Sequence, residues 1–335
     1  MTVLEWGYPL ILWTQNLGDW LLLPMQVFTA MGNEMFFMLV MPIFLWSFDA
    51  YVGLEVGLLL LFSSGLNAVA KMVVALPRPF WVNPAVRVIE GSSGFGFPSG
   101  HAQNAFVMWG QIALRLRQRL LKWICVALVL LISISRWYLG LHFPTDTFAG
   151  WVIAAMILLL YNRYGQPVLR SVKQRSIGMQ ITLCLIVAVI LAAAGWLTAS
   201  LRVPPAALPS WERGALAALP DSEPITPFNP EAVITSAGAW FGLAAGGVLL
   251  AAWGGYYEVA KPVQNGARIV LGLGCLLGIQ FGLDALFPSG PSLAAAVFRF
   301  LRYSALGFWI SYLAPRLFML LKLHTPSSAP STRNS

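Results

Sequence analysis

Charge is scarce in this chain. Of 335 residues only 10% are Asp, Glu, Lys or Arg, where an ordinary soluble domain carries about 25%. With 58% of residues hydrophobic as well, a soluble globular protein is excluded. Cysteine is scarcer still. Cys125, Cys184 and Cys275 each lie inside an apolar run and read as small buried hydrophobes, not as disulfide partners. Histidine occurs three times, and no Cys/His cluster has metal-site spacing, so no metal is expected. No basic stretch precedes the first apolar residues after Met1, which argues against a cleavable signal peptide. Residues 1–33 lack the run of roughly 20 apolar residues that spanning requires. Their mixture of Trp, Leu and Pro with Asn16, Gly18, Asp19 and Asn33 reads as interfacial helices.

Long apolar runs follow. Spans are expected at 35–50, 53–76, 102–119, 121–138, 147–162, 178–200, 234–256, 268–287 and 303–321, about nine in all. The 14 Trp agree, since Trp favours the membrane interface. The fold class is therefore all-α, a polytopic membrane helix bundle. Its expected parts are interfacial N-terminal helices over 1–33, a core over 34–201, an outer Pro-rich connection over 202–233, additional transmembrane helices over 234–323, and a disordered Ser/Pro-rich tail over 324–335. The connection reads as a linker between two helical blocks, with a cover over the outer site as the alternative.

The 21 basic residues exceed the 13 acidic ones. In a soluble chain that excess would raise nucleic acid as a partner. Here it sits in short loops between apolar runs and reports topology instead. Arg115, Arg117, Arg119 and Lys122 fill one connection; Arg163, Arg170, Lys173 and Arg175 fill another. Alternation places both on one face with the Glu258–Arg268 loop and the C-terminal tail, and the positive-inside rule makes that face cytoplasmic. Residues 1–33, 77–101, 139–146, 202–233 and 288–293 then share the opposite face.

Three polar clusters fall on that outer face: Lys71 with Arg78-Pro79; Pro98-Ser99-Gly100-His101; and Ser135-Arg136 with His142 and Asp146. The glycine-broken stretch Gly94–His101 runs straight into an apolar helix, so its backbone N–H groups and the helix N-terminus make a cradle for an anion. Lys71, Arg78 and Arg136 are three cations able to neutralise a phosphate dianion. Ser99 and the Gly100 N–H add donors. His101 and His142 are imidazoles suited to nucleophilic attack or proton transfer. Pro144 suits a first helical turn, which puts His142 just outside the helix and Asp146 within it, where the carboxylate can orient the imidazole. Singly, each cluster has a plainer reading: a snorkelling cation, a common turn, a local hydrogen bond. Charge near the bilayer centre costs at least about 2.5–3.5 kcal/mol, so three clusters on one face favour a shared site.

The string Lys-x6-Arg-Pro, Pro-Ser-Gly-His, Ser-Arg-x5-His-x3-Asp resembles the three-part signature of the type 2 phosphatidic acid phosphatase family, which includes membrane lipid phosphatases, glucose-6-phosphatase and vanadium-dependent haloperoxidases. The likeness covers roughly residues 34–165, and every motif position matches. It implies a six-helix phosphatase core with His142 as phosphohistidine nucleophile, His101 as the acid for the leaving oxygen and Asp146 as orienter. By the same likeness Lys71, Arg78, Ser99, Gly100 and Arg136 bind phosphate, and no metal or cofactor takes part. The implied partners are a lipid phosphate or diphosphate substrate and membrane lipids, at the outside of a cell membrane, with a bacterial inner membrane expected from the Ala-, Leu- and Trp-rich style.

The spans after 233 depart from the compact six-span form and resemble longer members of the family. An internal echo, Lys261 and Arg268 with Phe287-Pro288-Ser289-Gly290, has Pro291 where a histidine would stand, and is not expected to be catalytic. Arg299 and Arg302 read as interface anchors or as a rim for an anionic headgroup. Three functional readings stay open on sequence: a hydrolase of polyprenyl diphosphate, phosphatidic-type, sphingoid or sugar phosphate; a phosphotransferase sharing the covalent intermediate; and a transporter or binding protein holding an anion without turnover. The transporter reading gives no reason for two imidazoles and an orienting carboxylate. Oligomeric state leaves no mark on the sequence.

Overall fold

The computed structural model describes residues 5–221, 224–254 and 262–323. Its helices are α1 (Tyr8–Gln15), α2 (Leu22–Ala30), α3 (Glu34–Ser47), α4 (Ala50–Val74), α5 (Pro79–Val82), α6 (Gly100–Arg115), α7 (Arg119–Tyr138), α8 (Pro144–Lys173), α9 (Ile177–Leu201), α10 (Leu208–Ala218), α11 (Glu231–Ala252), α12 (Pro262–Leu286), α13 (Leu293–Phe308) and α14 (Ala314–Leu320). A π-helical turn, Trp309–Leu313, joins the last two. Among the described residues there is no strand.

Each of the nine stretches expected to span is helical over most of its described residues, but seven of the helices are long and apolar enough to cross a membrane, or eight if the helices over 19–30 and 35–47 count as one broken span. The chain is a multi-pass membrane protein. The two expected spans that fall short are α3, with 14 residues, and α6, with 16. Helix α6 falls short for a reason visible in its side chains. Gln103 and Gln111 are fully buried and Asn104 nearly so, and Gln103 and Asn104 bond to α4. Gln103 Oε1 accepts from Asn67 Nδ2 at 2.8 Å, Gln103 Nε2 donates to Ser63 Oγ at 2.9 Å, and Asn104 Nδ2 donates to Ser64 Oγ at 2.7 Å. A helix whose buried face is amide-rich is polar by composition yet at home in a bundle, because each amide finds a partner.

The chain divides into two compact units, one made of Met1–Phe37, Ser63–Gly165 and Leu191–Val233, the other of Met38–Phe62, Gln166–Ile190 and Ile234–Ser335. All eight candidate site residues belong to the first. Its core gathers Phe80, Trp81, Phe95, Tyr138, Leu141 and Phe143. Residues 202–233 do more than link. Helix α10 brings Trp211 to ring-centroid distances of 6.4 Å from Trp81 and 6.5 Å from Phe95, and Phe228 lies 5.0 Å from Phe95. The connection thus covers the loop beyond Arg78, and the linker expectation gives way to the covering one. Aromatic area buried against aromatic area holds it there.

In the second unit, Leu45, Trp46, Leu276, Leu306, Trp309 and Phe318 form the core. Arg268 is buried there. Its guanidinium donates to Trp46 O at 3.0 Å and to Leu323 O at 2.9 Å, so it ties two carbonyls together. Arg302, expected as an anchor or rim, meets Asp284. The loop with Glu258 and Lys261 and the tail over 324–335 lie outside the described residues. No cysteine is paired; Cys125 is buried, while Cys184 and Cys275 are partly exposed, so the expectation of burial holds for the first alone.

Candidate active site

Helix α4 stops where the sequence stops it. Ala75 adopts a left-handed conformation (φ 54), and Pro77 and Pro79 cannot continue the ladder. The chain turns, and Arg78 caps α5 in extended conformation. Its guanidinium is buried and gives three of its N–H donors to carbonyls: Nε to Gly94 O at 2.7 Å, Nη1 to Leu141 O at 3.0 Å and Nη2 to Phe95 O at 3.3 Å. Lys71, one turn inside α4, donates from Nζ to Phe95 O at 3.0 Å. Two cations from α4–α5 therefore pin the Gly94–Phe95 loop.

Ser99 begins α6 as its N-cap. Its Oγ accepts from Ala102 N at 3.4 Å, and its own N–H donates to Asp146 O at 2.9 Å. The second bond joins the start of α6 to the start of α8. Gly100 opens the helix beside Asn67, whose Nδ2 also donates to Pro98 O at 3.3 Å. His101 follows on the first turn.

The third cluster is set by the way α7 ends. Gly140 takes φ 71, the left-handed position after the last helical residue. Its N–H donates to Trp137 O at 3.0 Å, and the Leu141 N–H reaches back to Arg136 O at 3.0 Å. This pair of bonds is the Schellman closure, which needs a glycine at that position. The His142 N–H shares the same Arg136 carbonyl at 3.3 Å. The five-residue spacing between Arg136 and His142 is thus the length of one helix stop. Helix α8 then starts at Pro144, as expected from sequence. His142 Nδ1 lies 3.2 Å from Asp146 Oδ2, which also accepts the Phe143 N–H at 2.8 Å, while His142 Nε2 lies 3.4 Å from Arg78 Nη1.

The fold brings all eight sequence-predicted residues, Lys71, Arg78, Ser99, Gly100, His101, Arg136, His142 and Asp146, to the turns at one end of α4–α8. Ser99, His142 and Asp146 have at most 1% of their surface exposed, and Arg78 and Arg136 at most 5%. The cations act on both imidazoles. The His142 pKa lies well below the usual 6.5, through burial first, then the charges of Arg78, Lys71 and Arg136. His101 is lowered likewise, by burial and then by Arg136, Lys71 and Arg78. Both shifts favour the unprotonated ring, so a dianion can meet an imidazole free to attack. Arg136 Nε and Asp146 Oδ1 are buried without a hydrogen-bond partner among the described residues.

Sequence reasoning missed three contributors. Thr29 of α2 accepts from Arg136 Nη1. Asn67 and Gln103 brace the Pro98–Gly100 turn through the hydrogen bonds above. Thr29 and Asn67 stand in apolar runs, where the one signal is a polar residue among hydrophobes.

Residues 52–170 match the PAP2 superfamily, and residues 234–326 match the PAP2 superfamily phosphatase transmembrane extension. An undecaprenyl-diphosphatase of Sulfolobus acidocaldarius is 37% identical over 28% of this chain and 46% of its own. The sphingosine-1-phosphate phosphatase 1 of Mus musculus is 28% identical over 40% of this chain and 32% of its own. This chain spans less than half the length of these relatives. A solved structure, the first transmembrane PAP2 type phosphatidylglycerolphosphate phosphatase from Bacillus subtilis, aligns with a TM-score of 0.43 at 23% identity over 49% of this chain and 86% of that one. With the family's domain and its transmembrane extension both present in one polypeptide, the chain belongs to the PAP2 superfamily.

Proposed function

We propose that this protein is an integral-membrane phosphatase that hydrolyses a lipid phosphate or diphosphate through a covalent intermediate on His142. One observation carries the reading: the His142 imidazole, held by a buried carboxylate at one nitrogen, has its other nitrogen 3.4 Å from a buried guanidinium. Asp146 keeps the proton on Nδ1, leaving the Nε2 lone pair for phosphorus. Arg78, Arg136 and Lys71 meet the equatorial oxygens, with Ser99 and the Gly100 N–H beside them.

In the first step the His142 Nε2–phosphorus bond forms and the bond to the leaving oxygen breaks, with His101 giving that oxygen its proton. An incoming dianion offsets the positive charges around His101 and so raises its affinity for the proton it donates. In the second step a water oxygen attacks phosphorus and returns a proton to His101; the nitrogen–phosphorus bond breaks and phosphate leaves. The relatives named above act on an undecaprenyl diphosphate and on a sphingosine phosphate, and the apolar surroundings of this site favour a substrate of that lipid kind. The basic loops 115–122 and 163–175 favour a site facing away from the cytoplasm, and the composition favours a bacterial inner membrane.

The test is phosphate release by the purified protein in detergent across polyprenyl diphosphate, phosphatidic-type, sphingoid and sugar phosphates. Release from a lipid substrate, abolished by His142→Ala and Arg136→Ala, is expected. Undiminished turnover by His142→Ala would overturn the mechanism. Phosphate appearing on an added acceptor alcohol in place of free phosphate would reassign the chain to phosphotransfer.

A further inference from the structure

The N-terminal helices read from sequence as interfacial, and their side chains make specific contacts with the rest of the unit. Helix α1 reaches the outer loops: Gln15 Nε2 donates to Arg87 O at 2.6 Å and to Tyr138 O at 2.9 Å. Helix α2 reaches the site itself. Thr29, 6% exposed, accepts from Arg136 Nη1 through its hydroxyl. One turn on, a Cβ added to Gly32 would lie 2.9 Å from His101 Cδ2, so the backbone there lies directly against the imidazole.

The Arg136 guanidinium is then held at one end and open at another: Nη1 is engaged by Thr29, while Nε is buried without a hydrogen-bond partner among the described residues. A guanidinium recognises phosphate by presenting a planar pair of N–H groups, and that presentation needs the plane fixed. A buried N–H without a partner carries a desolvation cost, which a protein recovers when a ligand oxygen arrives.

We propose that Thr29 is a positioning residue: its hydroxyl anchors Nη1 so that the rest of the Arg136 fork is presented to the substrate's phosphate, and α2 thereby becomes a wall of the site. Thr29 touches no substrate in this arrangement; it acts through Arg136. The proposal deepens the phosphatase reading and rests on it, but its first readout, phosphate binding, does not need turnover.

The experiment uses the full chain purified in detergent, with Thr29→Val, which keeps the shape and removes the acceptor, and Thr29→Ser, which restores it. Inorganic phosphate is the probe, read by the thermal shift it induces and by its inhibition of lipid phosphate hydrolysis. Thr29→Val is expected to weaken phosphate about tenfold, the scale of one charge-assisted hydrogen bond. Thr29→Val also leaves Arg136 Nη1 without its acceptor, so melting without phosphate should fall modestly, and Thr29→Ser should recover both the melting point and the affinity. Wild-type phosphate affinity in Thr29→Val would overturn the proposal. So would equal loss in Thr29→Val and Thr29→Ser, which would mark a packing role. If the wild type binds phosphate but hydrolyses no lipid phosphate, the phosphatase reading fails, and the two variants still decide the role of Thr29.

Discussion

One oxygen of Asp146 serves His142 and its neighbour together: Oδ2 lies 3.2 Å from the His142 Nδ1 and also accepts, at 2.8 Å, the N–H of Phe143. The backbone bond fixes the carboxylate, and the fixed carboxylate sets the ring. Asp146→Asn keeps both bonds only with its amide oxygen in the Oδ2 position, and it removes the negative charge that balances the positive charge gathering on the imidazole as Nε2 bonds phosphorus. We expect kcat to fall about 10³–10⁴-fold, the scale seen when an orienting carboxylate is lost, with KM nearly unchanged. Steady-state kinetics on the purified variant checks both.

Arg78 answers to two tasks. Three of its N–H bonds go to carbonyls of Gly94, Leu141 and Phe95. Arg78→Lys keeps one charge but reaches one carbonyl at most. We expect a stability loss of about 1–3 kcal/mol from the carbonyls left unpaired, together with a fall in kcat/KM of at least about 10²-fold. A denaturation midpoint and a kinetic constant measured on one preparation separate the two effects.

Gly140 supplies the turn that carries His142. A Cβ there would face both a left-handed φ of 71 and the Arg87 carbonyl. Gly140→Ala should destabilise by more than the roughly 1 kcal/mol of an unhindered left-handed alanine, and should depress turnover, because the shifted turn moves the His142 ring. Retention of full activity would show that the Schellman closure is not what sets the nucleophile.

The depressed His142 pKa has a sign. The ring must be unprotonated to attack, so the acid limb of the rate profile that belongs to it should lie below pH 6.5. Stability moves with it. An unfolded imidazole takes up its proton near 6.5, the folded one only at lower pH, so between those values the unfolded state binds more protons and the fold weakens as pH falls. Thermal unfolding between pH 8 and 5 should show the decline, and His142→Asn should flatten part of it.

The motif residues were legible in the sequence because a bilayer makes charge conspicuous: Lys71, Arg78, Arg136 and Asp146 stand out in a chain that is 10% charged. The stop of α4 at Pro77 and the start of α8 at Pro144 were legible because proline acts locally. Thr29 and Asn67 were not. A threonine or asparagine within an apolar run looks the same whether it bonds to its own helix or to a neighbour, and the neighbour is found 107 residues away for Thr29 and 36 away for the bond from Asn67 to Gln103. Helix α6 misled for a related cause, since its amides are polar in composition and satisfied in the bundle. The connection over 202–233 hid its covering role because Trp211 and Phe228 acquire partners only when Trp81 and Phe95 are brought beneath them.

The order of residues, alone, settled that this chain lives in a membrane, that it is helical, and which few polar groups stand ready for an anion, because hydropathy, proline and charge act over short distances. Folding decided which of those groups meet, how each is aimed and what encloses them. Direction belongs to hydrogen bonds between segments far apart in the chain, and no local pattern encodes the partner at the other end.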